Sequence, residues 1–222
     1  LSKIPIFLIY DNIDKLNNIV EENIDISKTD WDNFETSWDF EVHPLIKYRN
    51  SEITIEKSFE NWKIFAEDNF NKLRNNEIEL NKIFLEIYDL SDEMSPEVEE
   101  KDVTVRKADL ERDIKSFISY GVGCIMGRYS PDKAGLIFAG GDFDFESYSE
   151  FKPDKDGIIP ITENNYFEDD LTNRFVELVK YIYGKESLEE NLGFIAKVLN
   201  EKYEDSRETI RNYFYKEFYK DH

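Results

Sequence analysis

The chain has 222 residues, 40% of them hydrophobic and 15% aromatic, which supplies enough apolar surface for a folded core and excludes a disordered chain. Its formal net charge is -21, so its surface repels phosphate and argues against duplex DNA binding by the chain on its own. The lone cysteine, Cys124, has no internal partner for a disulfide, and there is neither a signal-peptide pattern nor an apolar run long enough to span a bilayer. These features together predict a cytoplasmic protein with no membrane partner.

The first ten residues, LSKIPIFLIY, lack an initiator Met and read as a short strand or loop after Pro5, as though cut from something longer. A helix is expected over residues 12–23, with Ile13, Leu16, Val20 and Ile24 on its apolar stripe. Residues 29–46 are aromatic and acidic and end in His43-Pro44, which disfavours helix at His43. They read as an ordered loop anchored by Trp31, Phe34, Trp38 and Phe40. From Phe59 to Leu90 a long helix is predicted, spanning on the order of 45 Å at 1.5 Å per residue. Trp62, Ala66, Asn69, Leu73, Asn76, Leu80, Ile83, Ile87 and Leu90 alternate spacings of four and three, the pattern of a left-handed helix–helix seam. A charged linker follows to Thr104.

Leu110 to Tyr129 is the stretch around which the rest is organised. Ile114, Phe117, Ile118 and Ile125 recur at helical spacing, with Gly121, Gly123 and Gly127 among them. Each glycine inside a helix costs about 1 kcal/mol against alanine. Close approach of a neighbouring helix would offset that cost, so these three are candidate helix-packing residues. The spacing fits neither a dinucleotide fingerprint nor a phosphate-binding loop. Thr104 or Asp109 is expected to cap this helix. Beyond it, short strands at Leu136 to Ala139 and Phe143 to Phe145, joined at Gly140-Gly141, predict a β-hairpin. Three helices close the chain. Gly184 is expected to stop the first, Ser187 with Glu190 to form a capping box on the second, and Ser206 to cap the third. The fold class expected is mainly α: a helical domain with one long coiled-coil-like helix and a small β-hairpin insertion at about 131–161. Three divisions follow, at 1–50, 51–103 and 104–222.

Chemistry is sparse. His43 has no second His or Cys near it and reads as structural, and His222 is terminal. Cys124 lacks a His partner and reads as a small core residue. Asp142, Asp144 and Glu146 would share one face of a strand, but such spacing arises by chance among 49 acidic residues. Pro131-Asp132 followed by Glu150-Phe151-Lys152 has the order of a metal-dependent nuclease site, in which two carboxylates hold Mg²⁺ and a lysine activates water. Asp132, Glu150 and Lys152 therefore carry an alternative, catalytic reading. A second alternative is an acidic protein-binding module or DNA mimic. Tyr213, Phe214, Tyr215, Phe218 and Tyr219 form a dense aromatic end and a candidate interface. No N-P-P-Y motif and no glycine-rich cofactor turn is present, so no catalytic, cofactor or metal residue is assigned.

The blocks DWDNFETSWDFEVHPL, NKLRNNEIELNKIFLEIYDLSDEMSPEV and VTVRKADLERDIKSFISYGVGCIMGRYSPDKAGLIFAGG resemble successive blocks of the PglX family. DGIIPITENNYFEDDLTNRFVELVKYIYG and SRETIRNYFYKEFYKDH continue the resemblance in the family's order, over nearly the whole chain. These are the large adenine-specific DNA methyltransferases of BREX phage defence, similar to the methylase subunits of single-chain type II restriction–modification enzymes. The resemblance implies that the N-P-P-Y domain and its S-adenosylmethionine site lie upstream, in a parent protein. The stretch SKIPIF resembles the close of a target-recognition region, and this chain would follow it. A non-catalytic helical segment is then expected, reaching DNA through the parent and open to partners among other BREX or restriction-system proteins. Arg112 and Lys115 are expected to pair with acidic neighbours, the alternative being phosphate contact.

Overall fold

A computed structural model describes residues 13–202 and 204–221; the expectations for residues 1–10 and His222 lie outside them. The structure is mainly α-helical. Eight helices are present among the described residues: α1 (Ile13–Asp32), α2 (Pro44–Lys47), α3 (Ile55–Ile87), α4 (Leu110–Ile125), α5 (Leu171–Tyr183), α6 (Leu188–Leu199), α7 (Ser206–Lys216) and α8 (Phe218–Asp221). They belong to two compact units. One holds residues 13–31 and 65–107, the other residues 32–64, 108–202 and 204–221. Helix α3 thus serves the second unit up to Ile64 and the first from Phe65 onward.

The larger unit is a helical core. Phe117, Ile114 and Ile118 of α4, Phe175, Leu178 and Val179 of α5, Leu192 and Ile195 of α6, and Ile210 of α7 have no exposed surface. Phe117 meets Phe175 edge-to-face at 6.1 Å, and Phe175 meets Phe214 at 5.7 Å. Asp109 caps α4 by accepting the Arg112 N–H at 2.8 Å. The carboxylate of Asp113, one turn on, is buried and fully engaged. It accepts the Trp62 indole N–H at 2.8 Å, the Arg112 Nε–H at 2.8 Å and the Asp109 N–H at 3.1 Å. Asn191 of α6 reaches the start of α3, accepting the Ile55 N–H at 2.7 Å and donating to the Ile53 carbonyl at 3.0 Å. Asp170 caps α5 through the Asn173 N–H at 2.9 Å and forms a buried ion pair with Arg211 of α7.

The glycines of α4 divide. A Cβ on Gly121 would lie 2.8 Å from the Phe175 ring, so this glycine lets α5 close onto α4. A Cβ on Gly123 would lie 2.7 Å from the Tyr129 ring, which folds back on the helix end. Gly127 is not in the helix. It sits just past the C-cap at φ +82, with its N–H on the Cys124 carbonyl and the Arg128 N–H on that of Gly123, which is a Schellman closure.

The smaller unit has a thin core: Ile26 of α1, Phe70 and Leu73 of α3, and Val103 and Val105 with Val98 packed alongside. The expected linker therefore supplies core residues. Asn76, buried on α3, donates to Glu22 at 2.7 Å and to Asn23 at 2.8 Å.

Several expectations are corrected. The long helix exists, but not the coiled-coil seam. The closely packed helix pairs among the described residues all lie within α4–α8, and Phe70 rather than Asn69 is buried. No strand forms in 131–161; a single isolated bridge joins Ser130 and Lys133. The alternating aromatics there reflect ring packing around Phe143, with Phe138 and Phe145 edge-on at 4.9 Å and Tyr148 stacked at 5.6 Å. Asp144 accepts the Glu146 N–H at 3.0 Å and caps a 3-10 turn, which breaks extended geometry. Trp31 belongs to α1, and of the four expected loop anchors only Phe40 is buried, whereas Trp38 is fully exposed. On α1, Leu16 and Ile26 are buried while Ile13, Val20 and Ile24 face solvent. Ser187 makes no capping bond, and Asp205, not Ser206, caps α7 through the Glu208 N–H at 2.7 Å.

Candidate functional site

The fold brings Asp132 and Glu150 together, 18 residues apart in sequence. One Asp132 oxygen accepts the Glu150 and Phe151 N–H groups at 3.3 and 3.2 Å; the other accepts the Tyr181 hydroxyl, which also lies 3.4 Å from Glu150. Burial pushes the Asp132 carboxyl up, but hydrogen bonds from Tyr181, Ser149 and the two backbone amides outweigh it and hold the group below its usual range. Burial and the adjoining carboxylates raise the Tyr181 hydroxyl. Lys152 does not join them: its ammonium donates to the Phe145 carbonyl at 3.2 Å and also to that of Tyr148. An adjoining open groove of ≈ 630 Å³ is lined by Glu150, Lys152, Arg174, Glu177, Lys180 and Tyr181. Among the described residues, no group of three or more acidic, His or Cys side chains is arranged to hold a metal ion. The geometry is that of a clamp. Asp132 fastens residues 149–152 onto α5, and Lys152 ties them back to the Phe145 and Tyr148 carbonyls just before them.

The aromatic end is split by burial. Tyr213 and Phe214 lie in the core, Phe218 is half-buried against them at 6.1 and 5.5 Å, and Tyr215 and Tyr219 are exposed. Burial, with the hydroxyl donated to Asp221 at 3.1 Å, raises the Tyr213 pKa. Lys115 pairs with Glu111 at 2.7 Å and with Asp221 at 3.1 Å, and Arg112 pairs with Asp113. A groove of ≈ 410 Å³ opens here, lined by Lys115, Asn200, Thr209, Asn212, Lys216 and Asp221 among others.

His43 is structural in its surroundings. Its Nδ1 accepts the Leu45 N–H at 3.2 Å, capping α2, while Nε2 lies 2.8 Å from Ser116 Oγ, which itself donates to the Asp113 carbonyl at 3.1 Å. Both ring nitrogens are engaged in the neutral form, and full burial pushes the pKa down to about 3. Burial likewise pushes the Cys124 thiol up, away from nucleophilic use. The spaces beside Gly121 and Gly123 are filled by Phe175, Leu178 and Tyr129.

The buried Asp170–Arg211 pair and the Asp113 and Asn191 hubs were not foreseen. Asp170 has a signal, lying three residues before Asn173 at a helix start; Arg211 and Asn191 have none, since nothing in a single sequence marks a long-range polar partner.

No family model matches the chain. It is 47% identical over 207 residues to the adenine-specific methyltransferase PglX of Lacticaseibacillus casei (strain Zhang), a match covering 91% of the chain and 17% of that protein. It is 35% identical over 235 residues to the adenine-specific methyltransferase BrxX of Escherichia coli O9:H4 (strain HS), covering 93% of the chain and 19% of the relative. The chain thus spans about a fifth of the length of the curated relatives it matches.

Proposed function

The chain belongs to the PglX family of adenine-specific methyltransferases, and from that premise we propose that it is a non-catalytic helical segment of such an enzyme, bracing target recognition and offering a docking face to partner proteins. It would follow the target-recognition region. Methyl transfer from S-adenosylmethionine to adenine, and DNA contact, would belong to the rest of the parent. The exposed Tyr215 and Tyr219, with the half-buried Phe218 beneath them, would form the docking face on α7 and α8.

One observation carries this reading. Two of the three residues of the nuclease motif, and His43, are taken up in structural bonds: Asp132 in the clamp on residues 149–152, Lys152 on backbone carbonyls, and His43 in a buried cap, while the Glu150 carboxylate meets the Tyr181 hydroxyl at 3.4 Å. The net charge of -21 opposes duplex binding by this segment alone.

The test is duplex DNA binding at low salt by the 222-residue chain and by a longer polypeptide that includes the preceding recognition region. Binding only by the longer polypeptide is the expected result. Tight binding by the chain alone would overturn the bracing role. Mg²⁺-dependent plasmid cleavage by the chain, abolished in Glu150→Ala, would overturn the non-catalytic one.

A further inference from the structure

Helix α1 carries more apolar surface than it buries. Leu16 and Ile26 are buried in the smaller unit. Ile13, Val20, Ile24 and Trp31 remain 44%, 43%, 59% and 51% exposed. Their spacings of seven, four and seven residues return to one line along the helix, within about 20° at roughly 100° per residue. That line is about 27 Å long at 1.5 Å per residue. By the same count it stands about 60° round the helix from Leu16 and about 140° from Ile26, the two buried residues. Scattered exposed aliphatics are ordinary on a protein surface, but four in one line on a helix are the geometry of a seam for a second helix.

The edge of the stripe says what would cover it. Ile13, Val20 and Ile24 are each followed by a carboxylate, Asp14, Glu21 and Asp25, all exposed. A carboxylate row therefore runs beside the apolar line, with one exposed cation, Lys28, on the same side toward the C-terminal end of the helix. A second copy of the chain would bring like charges together along this edge, against a net charge of -21 on each copy. A helix with apolar residues at the same spacing and Lys or Arg flanking them satisfies both rows. We propose that α1 is a docking helix for a basic amphipathic helix of a partner protein, seated on Ile13, Val20, Ile24 and Trp31 with its cations toward Asp14, Glu21 and Asp25. This surface is separate from the aromatic end of α7 and α8, and the proposal stands independently of that docking role.

The probe is a synthetic 21-residue helix with Leu at heptad positions a and d and Lys at e and g, compared with its twin carrying Glu in place of Lys. Binding is read by calorimetry on the full chain, with helicity of each variant checked by circular dichroism. The Lys peptide is expected to bind with a Kd on the order of 10 μM and the Glu twin not at all. Ile24→Glu, an exposed substitution, is expected to weaken binding about tenfold or more. This variant adds negative charge, so an attraction that was electrostatic alone would strengthen instead. Asp25→Lys combined with Glu21→Lys is expected to weaken binding about tenfold and to flatten its salt dependence. No binding of the Lys peptide, equal binding of both peptides, or undiminished binding by Ile24→Glu would each overturn the proposal. So would a concentration-dependent dimer in sedimentation that Ile24→Glu abolishes, which would assign the stripe to self-association.

Discussion

The two units of this chain use apolar residues differently. In the larger one, α4–α7 direct Phe117, Phe175, Leu178, Leu192, Ile195 and Ile210 inward to complete burial, and a buried ion pair and two polar hubs pin the helix ends. In the smaller one, the buried cluster among the described residues draws on Ile26 of α1, Phe70 and Leu73 of α3, and Val103 and Val105, while α1 leaves four large side chains half in water. The difference teaches where selection for packing and selection for contact diverge. The helices of the larger unit close a core, and substitutions in that core act on stability; the stripe on α1 is exposed, and substitutions there should leave stability nearly unchanged.

The largest effects should come from opening the closed unit. Phe175→Ala removes the ring shared by α4, α5 and α7 and is expected to cost about 3–5 kcal/mol in urea unfolding. Asp170→Ala strands the buried Arg211 guanidinium and should cost about 3–5 kcal/mol. Leu73→Ala in the thin cluster is expected to cost about 2–3 kcal/mol, because a loosely enclosed site collapses more readily around the lost volume.

The next effect depends on pH. His43 has an unfolded pKa near 6.5 and a folded value of about 3. Its contribution is therefore fully present above pH 6.5 and is lost as pH falls toward 3, since the unfolded chain binds a proton that the folded one refuses. The slope is about 1.4 kcal/mol per pH unit well inside that window. Urea unfolding stepped from pH 7 to pH 5 should show it, and His43→Gln should flatten it. The cap substitution Asp205→Ala should cost about 1 kcal/mol. The smallest effect sharpens the comparison most: Ile24→Glu on the open stripe should change stability by less than about 0.5 kcal/mol. A loss near that of Leu73→Ala would make the stripe part of a core.

Much of this was legible in the residues. Helices α5 and α6 follow from Leu171, Phe175, Leu178 and Ile182, and from Leu188, Leu192, Ile195 and Leu199, at 3.6-residue spacing, with Gly184 ending α5; Asp109 likewise marks the start of α4. The long α3 was also visible, but its seven-residue pattern was misleading. Successive turns of one helix serve two units, so a regular apolar row need not mean one continuous partner. The hairpin failed because Phe143 and Phe145 alternate as strand residues do, while local ring packing and an Asp144 cap hold them in a turn. On α1 the periodicity found the helix but misplaced its buried face: of the expected stripe only Leu16 is buried, while Ile13, Val20 and Ile24 face water. At the candidate site, the nearness of Asp132 to Glu150 follows the sequence motif. The diversion of Lys152 to two carbonyls depends on a turn that no spacing rule predicts.

Native-state hydrogen exchange on the whole chain tests the contrast most directly. Closed packing predicts that the amides of α4 and α5 exchange only through the rarest openings, whereas those of α1 exchange through smaller, local ones. Slowest exchange at Phe117, Ile118, Leu178 and Val179, and markedly faster exchange across Val20 to Ile24, is the expected result. Protection of α1 equal to that of α4 would contradict the account, because it would place α1 inside a core as complete as that of the larger unit.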